Sequence, residues 1–315
     1  RLQPGRIGIE RALVRRLGAT AEVTGELVGF KHPVLTASAK VSQPLEEIGI
    51  KGIRRGAAAW DALVRWDDGG YRVNGPVSVE GFEWVSDTFR LAGAKLRGDA
   101  VLEHGVVTLD RATVSALGGS WTGRAELQHW RSLKVDGEFD KLSLGSIVKA
   151  IPNTEFPWDG SLSGPVSLST LISATGLTGT LADARLAIEP AEDRLPVEGA
   201  LNVKWSQAEG QVTLDDSVLR LPATEVRLAG TLGKSLNAAL STRDLAEVES
   251  AAGLFFEARN VVTSYVKLVG GAARVDAVID GPLSNPVFSG RAELTRFESS
   301  GAAFDSATAD FRLAA

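Results

Sequence analysis

Cysteine and methionine are both absent from this 315-residue chain, and each absence narrows its chemistry. Without cysteine there is no disulfide, no zinc–thiolate site and no thiol nucleophile. That composition suits a bacterial envelope protein in an oxidising periplasm, and it suits many cytosolic proteins as well. Methionine is missing even from position 1, so the chain is expected to be a segment of a longer protein or a processed form. Tyrosine is confined to Tyr71 and Tyr265, and histidine to His32, His104 and His129. No run approaches the roughly 20 apolar residues that span a bilayer, and no signal-peptide pattern is visible. A membrane anchor, if the protein has one, is expected outside this segment.

Charge is moderate and uneven. The formal net charge is −5, yet residues 1–55 hold ten Lys/Arg against five Asp/Glu. The basic start (Arg1, Arg6, Arg11, Arg15, Arg16) could face anionic headgroups or form a solvated face. An acidic chain with no basic, aromatic-interleaved stripe is a poor nucleic-acid binder, so no nucleic-acid partner is expected.

Period-two alternation dominates what is present. Leu201, Val203 and Trp205 share one face, opposite Asn202, Lys204 and Ser206. Val226, Leu228, Gly230 and Leu232 alternate with Glu225, Arg227, Ala229 and Thr231. Val275, Ala277 and Ile279 alternate with Arg274 and Asp276, with Val278 interrupting the polar side. Such strands bury one side and wet the other, as antiparallel sheets allow. Asp67-Asp68-Gly69-Gly70, Gly118-Gly119, Glu209-Gly210 and Gly233-Lys234 supply reversals. The expected fold is therefore all-β and mainly antiparallel.

A few short helices interrupt the strands. Leu144, Ile147, Val148 and Ile151 have helical spacing, and Pro152 stops the run. Asp244 is placed to cap Leu245–Phe256, with Glu247 completing a capping box. A further helix candidate covers Gly56–Val64.

The chain also echoes itself about every hundred residues. Gly105-Val-Val-Thr-Leu-Asp110 returns as Gly210-Gln-Val-Thr-Leu-Asp215. Gly75-Pro76-Val77, Gly179-Thr180-Leu181 and Gly281-Pro282-Leu283 recur at nearly the same step. The expected organisation is one continuous repeat region with approximate units 1–104, 105–209 and 210–315. Stacked repeats cover one another's apolar faces, which moves function from a pocket to a surface. A sheet with so many strands must twist, curl or close on itself.

Catalytic constellations are lacking. Ser146-Ile-Val-Lys149 and Ser264-Tyr-Val-Lys267 match S-x-x-K without the partner elements of serine acylases. Gly160-Ser-Leu-Ser-Gly164 has Leu162 where a nucleophile elbow needs serine. The histidines lack metal-ligand spacing, and Asp67-Asp68 lacks a calcium ladder. Glu46-Glu47 and Glu247/Glu249 read as surface acids, and no phosphate-cradling loop is present. Catalytic, cofactor and metal sites are all expected to be absent. The tryptophans (Trp60, Trp66, Trp84, Trp121, Trp130, Trp158, Trp205) are expected to plug the ends of a curled sheet, or else to wedge against lipid or a partner at a rim.

The string Ile279-Asp-Gly-Pro-Leu-Ser-Asn-Pro-Val-Phe-Ser-Gly-Arg-Ala-Glu-Leu294 resembles the recurring phrase of the TamB-like and AsmA-like families of bacterial envelope proteins. Leu177–Leu186 and Gly25–Pro33 are looser copies, and Ala208–Asp215 and Phe304–Leu313 also resemble family phrases. The resemblance implies an elongated, curled sheet forming a repeating β-groove, or β-taco, in a periplasmic protein anchored in the inner membrane. It implies phospholipid acyl chains as cargo on the way to the outer membrane. For TamB-like members it also implies an Omp85-type outer-membrane barrel as partner and a part in outer-membrane protein assembly. The groove lining is expected to include Leu201, Val203, Trp205, Val226, Leu228, Leu232, Val275 and Ile279. The same face could instead fill a dry solenoid core, as in a surface adhesin.

Overall fold

In the computed structural model the alternating segments form strands, and strand accounts for 77% of the structure. Residues 2–3, 5–87, 89–152, 159–173, 176–191, 196–255, 266–282 and 285–314 are described. The chain divides into two compact units. Unit 1 comprises Arg1–Glu155 and Pro165–Thr180, and unit 2 comprises Phe156–Gly164 and Leu181–Ala315.

Unit 1 is an up-and-down antiparallel meander. Its strands are β1 (Leu2–Gln3), β2 (Arg6–Arg16), β3 (Ala19–Val28), β4 (Val34–Pro44), β5 (Ile53–Asp67) and β6 (Gly70–Val85). They continue with β7 (Arg90–Glu103), β8 (Val106–Ala116), β9 (Gly119–Gln128) and β10 (Ser132–Ser143). Each pairs with the next in the chain. Consecutive turns therefore alternate between two rims. Those after β3, β5, β7 and β9 share one rim, and those after β2, β4, β6 and β8 the other.

Register separates the two faces of this sheet. Val23 lies opposite Ala39, and Ala39 opposite Ala62. Farther along the same face, Gly75 pairs with Ala100, then Leu109, Ala125 and Val135. The other face carries rows such as Glu22–Lys40–Asp61. Burial follows the apolar rows: Ala39, Ala62, Ala100 and Ala112 are buried, while the charged rows are wet. Alanine is hidden here because larger residues on the same face flank it.

Trp121 is the one buried tryptophan among the described residues. Gly123 and Gly137, which pair with each other, make room for it. A Cβ on Gly123 would lie 2.5 Å from Trp121 Cζ2, and one on Gly137 2.6 Å from Cε2. The indole thus takes the space of two absent side chains, a known way to rescue glycine in a sheet.

Unit 2 repeats the plan. It takes Gly160–Gly164 of β11 (Gly160–Ser173) and Leu181–Pro190 of β12 (Gly176–Pro190). It continues through β13 (Glu198–Ser206), β14 (Gln211–Arg220), β15 (Thr224–Thr231), β16 (Ser235–Thr242), β17 (Val266–Asp280), β18 (Val287–Ser299) and β19 (Ala302–Ala314). From β12 onward each strand pairs antiparallel with its successor. Neither meander closes into a barrel among the described residues.

The two copies of the Gly-x-Val-Thr-Leu-Asp phrase occupy matching places. Gly105 and Gly210 are left-handed turn residues, with φ of 77° and 61°. β8 and β14 start at the next residue. In both, the residue after the terminal aspartate adopts positive φ: Arg111 at 50° and Asp216 at 39°. Both strands carry an extra residue there against their neighbours, a β-bulge that bends the strand and increases its twist.

The helices need two corrections. Helix α1 (Leu144–Ala150) forms as expected, with Ser143 Oγ accepting the Ser146 N–H at 3.1 Å. Helix α2 (Leu245–Phe255) starts after Asp244, whose carboxylate accepts the Ala246 N–H at 2.9 Å. Glu247 does not close a capping box. Its carboxylate accepts the Ala223 N–H instead, at 3.1 and 3.3 Å, while the Asp244 N–H goes to Thr242 Oγ1. The second correction concerns Gly56–Val64, which lies inside β5 and is not helical. Its alanines favour helix locally, but ladders to β4 and β6 on both sides override that weak preference. A one-turn 3-10 helix sits just before it, at Leu45–Ile48.

Gly123→Ala forces its Cβ into Trp121 and the Asp136 carbonyl. It is expected to destabilise the protein by about 1–3 kcal/mol, the usual cost of overpacking. A urea unfolding series against the parent chain measures this.

Candidate functional site

All eight residues expected to line a groove fall within unit 2, and register places them on one side of its sheet. Leu201, Val203 and Trp205 lie opposite Leu186, Ala184 and Ala182 of β12. Val203 also faces Leu214, and Trp205 faces Val212. The bulge at Asp215-Asp216 then restores the phase, so that Leu219 meets Val226 and Ser217 meets Leu228. Val226 and Leu228 pair with Leu240 and Ala238, which pair in turn with Val275 and Ala277. Ile279 sits between Leu236 and Phe288. Leu232 lies just beyond β15, its N–H donating to the Val212 carbonyl at 2.9 Å.

Sequence patterning left out further members of this face. Leu186, Leu214, Leu236, Leu240 and Phe288 belong to it by register. So do Ala292, opposite Val275, and Ala309 beyond it. Phe297 and Phe304 extend it, stacked with ring centroids 5.1 Å apart. Alternation alone misses Phe297, because Thr295 and Arg296 are both exposed and Arg296 has φ of 46°. That positive φ was the only local signal, and it is not readable from an arginine.

Burial on this face is partial. Leu214 and Leu236 are buried, whereas Leu201, Val203, Val226, Leu228, Val275 and Ile279 are half-buried. Trp205 remains 39% exposed. The residues with least exposure are polar: Ser217 and Thr242, the latter sharing a 2.8 Å hydrogen bond with Thr224. Apolar contact area is thus left accessible along β13, β15 and β17.

The opposite face is a charge ladder. Lys204 Nζ lies 2.5 Å from Asp215, and Glu225 takes Arg227 at 2.8 Å and Arg220 at 3.0 Å. Hydrogen bonds from Arg227 and then Arg220 hold the Glu225 carboxyl below its ordinary 4.5. The bond to Asp215 raises Lys204. In unit 1 Glu80 is lowered in the same way, first by Arg97 and less by Lys95. These pairs are exposed, so they contribute little stability and mainly fix which side stays wet. A hollow of about 670 Å3 on this side is bordered by Asp216, Arg227 and Asp276 and by the apolar Val218, Ala229 and Val278. A twisted sheet is saddle-shaped, so both of its faces have a concave direction.

The remaining candidates stay apart. His32, His104 and His129 lie in three different turns, and among the described residues no cluster could hold a metal ion. Ser146 and Lys149 share α1, whereas Ser264 and Trp158 lie outside the described residues. Trp60 and Trp84 are half-buried, while Trp66 and Trp130 are exposed at a rim. No described helix is long and apolar enough to cross a membrane. The chain matches no known protein-family model, no curated protein and no solved structure.

The lowered Glu225 carboxyl fixes a sign. Its ion pairs are complete above the ordinary carboxylate value and are lost as pH falls through the lowered one. Carbon-detected NMR should show Glu225 titrating below exposed glutamates, and Arg227→Ala should move it back up.

Proposed function

We propose that this chain is a non-enzymatic segment of a periplasm-spanning bridge anchored in the inner membrane. Its apolar sheet face shields phospholipid acyl chains in transport between the inner and outer membranes. The observation that carries the reading is the continuous apolar face from β12 to β19, whose larger aliphatic side chains are mostly only half-buried. The likeness of residues 279–294 to the TamB-like and AsmA-like phrase supports it independently. The matched bulges after Asp110 and Asp215 favour a repeating β-groove with units near 1–104, 105–209 and 210–315.

The energetics suit such a path. An acyl chain left in water costs about 0.8 kcal/mol per methylene, on the order of 10 kcal/mol for a whole chain. Residues spaced every second position along adjacent strands offer aliphatic contact throughout, so no single step exposes the chain. Headgroups need no dedicated pocket, because they stay in water at the border of the face. No catalytic group enters this function.

Photo-crosslinkers at Leu228, Val275 and Ile279 are expected to capture phospholipid in cells, and Leu228→Asp or Ile279→Asp to block transfer while the protein still folds. Crosslinks to nascent outer-membrane barrels in place of lipid would select a scaffold working with an Omp85-type partner. Absence of captured lipid at all three positions would overturn the acyl-chain reading.

A further inference from the structure

The rim of unit 1 that carries the turns after β3, β5, β7 and β9 gathers residues that are scattered in sequence. All three histidines of the chain lie on it: His32, His104 and His129. Four exposed aromatic side chains lie on it as well. Phe30 and Trp130 are each 64% exposed, Tyr71 42% and Trp66 41%. Successive turns on one rim are two strands, or roughly 10 Å, apart. They also lean on one another. His32 Nδ1 is 2.6 Å from Asp68 Oδ2 of the next turn along. His104 lies against Gly70, where a Cβ would be 3.5 Å from its Nε2. His129 stands in the same relation to Gly105, and its N–H donates to the Gly105 carbonyl at 2.8 Å.

The outer turns each carry one aromatic, one cationic and one histidine residue, Phe30-Lys31-His32 and His129-Trp130-Arg131. The second of these is strained. Arg131 N–H closes the turn on the Gln128 carbonyl at 2.9 Å, with His129 and Trp130 between them at φ of 49° and 59°. Two-residue hairpin turns with both φ positive favour Asn-Gly, and a bulky side chain in that region is disfavoured. Trp130 gains no burial in return.

The charges of the rim complete the picture. Asp68 is engaged by His32, Asp67 by Arg65 and Glu103 by Arg72. With the histidines neutral, Lys31, Arg65, Arg72 and Arg131 outnumber Asp67, Asp68 and Glu103 by one, and Lys31 and Arg131, which make no ion pair among the described residues, each lie beside one of the two most exposed rings. We propose that this rim is a contact surface for an anionic phospholipid bilayer. Phe30, Trp66, Tyr71 and Trp130 enter the interfacial layer, where rings with one apolar and one polar end are favoured. Lys31 and Arg131 meet the lipid phosphates. Trp66 and Tyr71, paired across β5 and β6, continue inward with Leu35 along the apolar face of the sheet. The rim is thus where that face meets the membrane. Binding there does not require the unit 2 face to carry acyl chains.

Flotation of the full chain with vesicles of phosphatidylglycerol and phosphatidylethanolamine tests the proposal, with phosphatidylcholine vesicles as comparison. The chain is expected to float with the anionic vesicles, and salt is expected to weaken the association. Trp130→Gly should lower the bound fraction several-fold while raising the thermal midpoint, because glycine accepts the turn without strain. Trp130→Phe, which keeps ring and strain, should retain binding. Lys31→Glu combined with Arg131→Glu should reduce binding and remove its salt dependence. The proposal is overturned if the parent chain does not float, if it binds phosphatidylcholine equally, or if these variants leave binding unchanged. A change in sedimentation without a change in flotation would also overturn it, assigning the rim to self-association. The two readings fail separately, since lipid capture at Leu228 and vesicle binding by the rim are distinct measurements on distinct units.

Discussion

Antiparallel pairing at a fixed register between strands adjacent in the chain is the constraint on which the rest depends. With a side-chain period of two, a slip of one residue would turn every apolar side chain to the wet side. The protein has few large buried side chains to enforce that choice, since much of its buried set is alanine. The polar face helps to enforce it. Rows such as Glu22–Lys40–Asp61, and ion pairs such as Lys204–Asp215 and Arg220–Glu225, match only in one register. Their individual energies are small, but a shifted register would set unlike rows against each other along a whole strand.

Bulges are the second device, and they act on the same constraint. An extra residue at Asp216 resets the phase of the strand, so that Leu214 and Ser217 share a face despite odd spacing, while beside Phe297 the extra residues lie on β17, between Leu268 and Ala272. Such positions add twist and curvature without a change of topology. The rescue of Gly123 and Gly137 by Trp121 answers the opposite need, keeping a crowded part of a strand pair filled.

Much of this was legible in the sequence. Period-two runs located Leu201–Trp205, Val226–Leu228 and Val275–Ile279 on one face, and Gly-rich dipeptides located the turns. Both capped helices were readable from local spacing. What failed depended on tertiary partners. Ala57-Ala58-Ala59 reads as helix until β4 and β6 claim its backbone. Glu247 reads as a box residue until the Ala223 N–H comes within reach. Phe297 was hidden behind the positive φ of Arg296, and the rim histidines, far apart in sequence, share one edge only because the hairpins alternate.

A chain whose strands pair with their immediate neighbours places few topological demands on the order of synthesis. Every described ladder in unit 1 from β2 to β10, and in unit 2 from β12 to β19, joins strands consecutive in the chain. Low contact order of this kind favours rapid folding, since little entropy is lost before native contacts repay it. The sheet can be laid down progressively, each arriving strand finding its template in the one before. A polypeptide emerging residue by residue can therefore acquire its structure before its last residues have arrived.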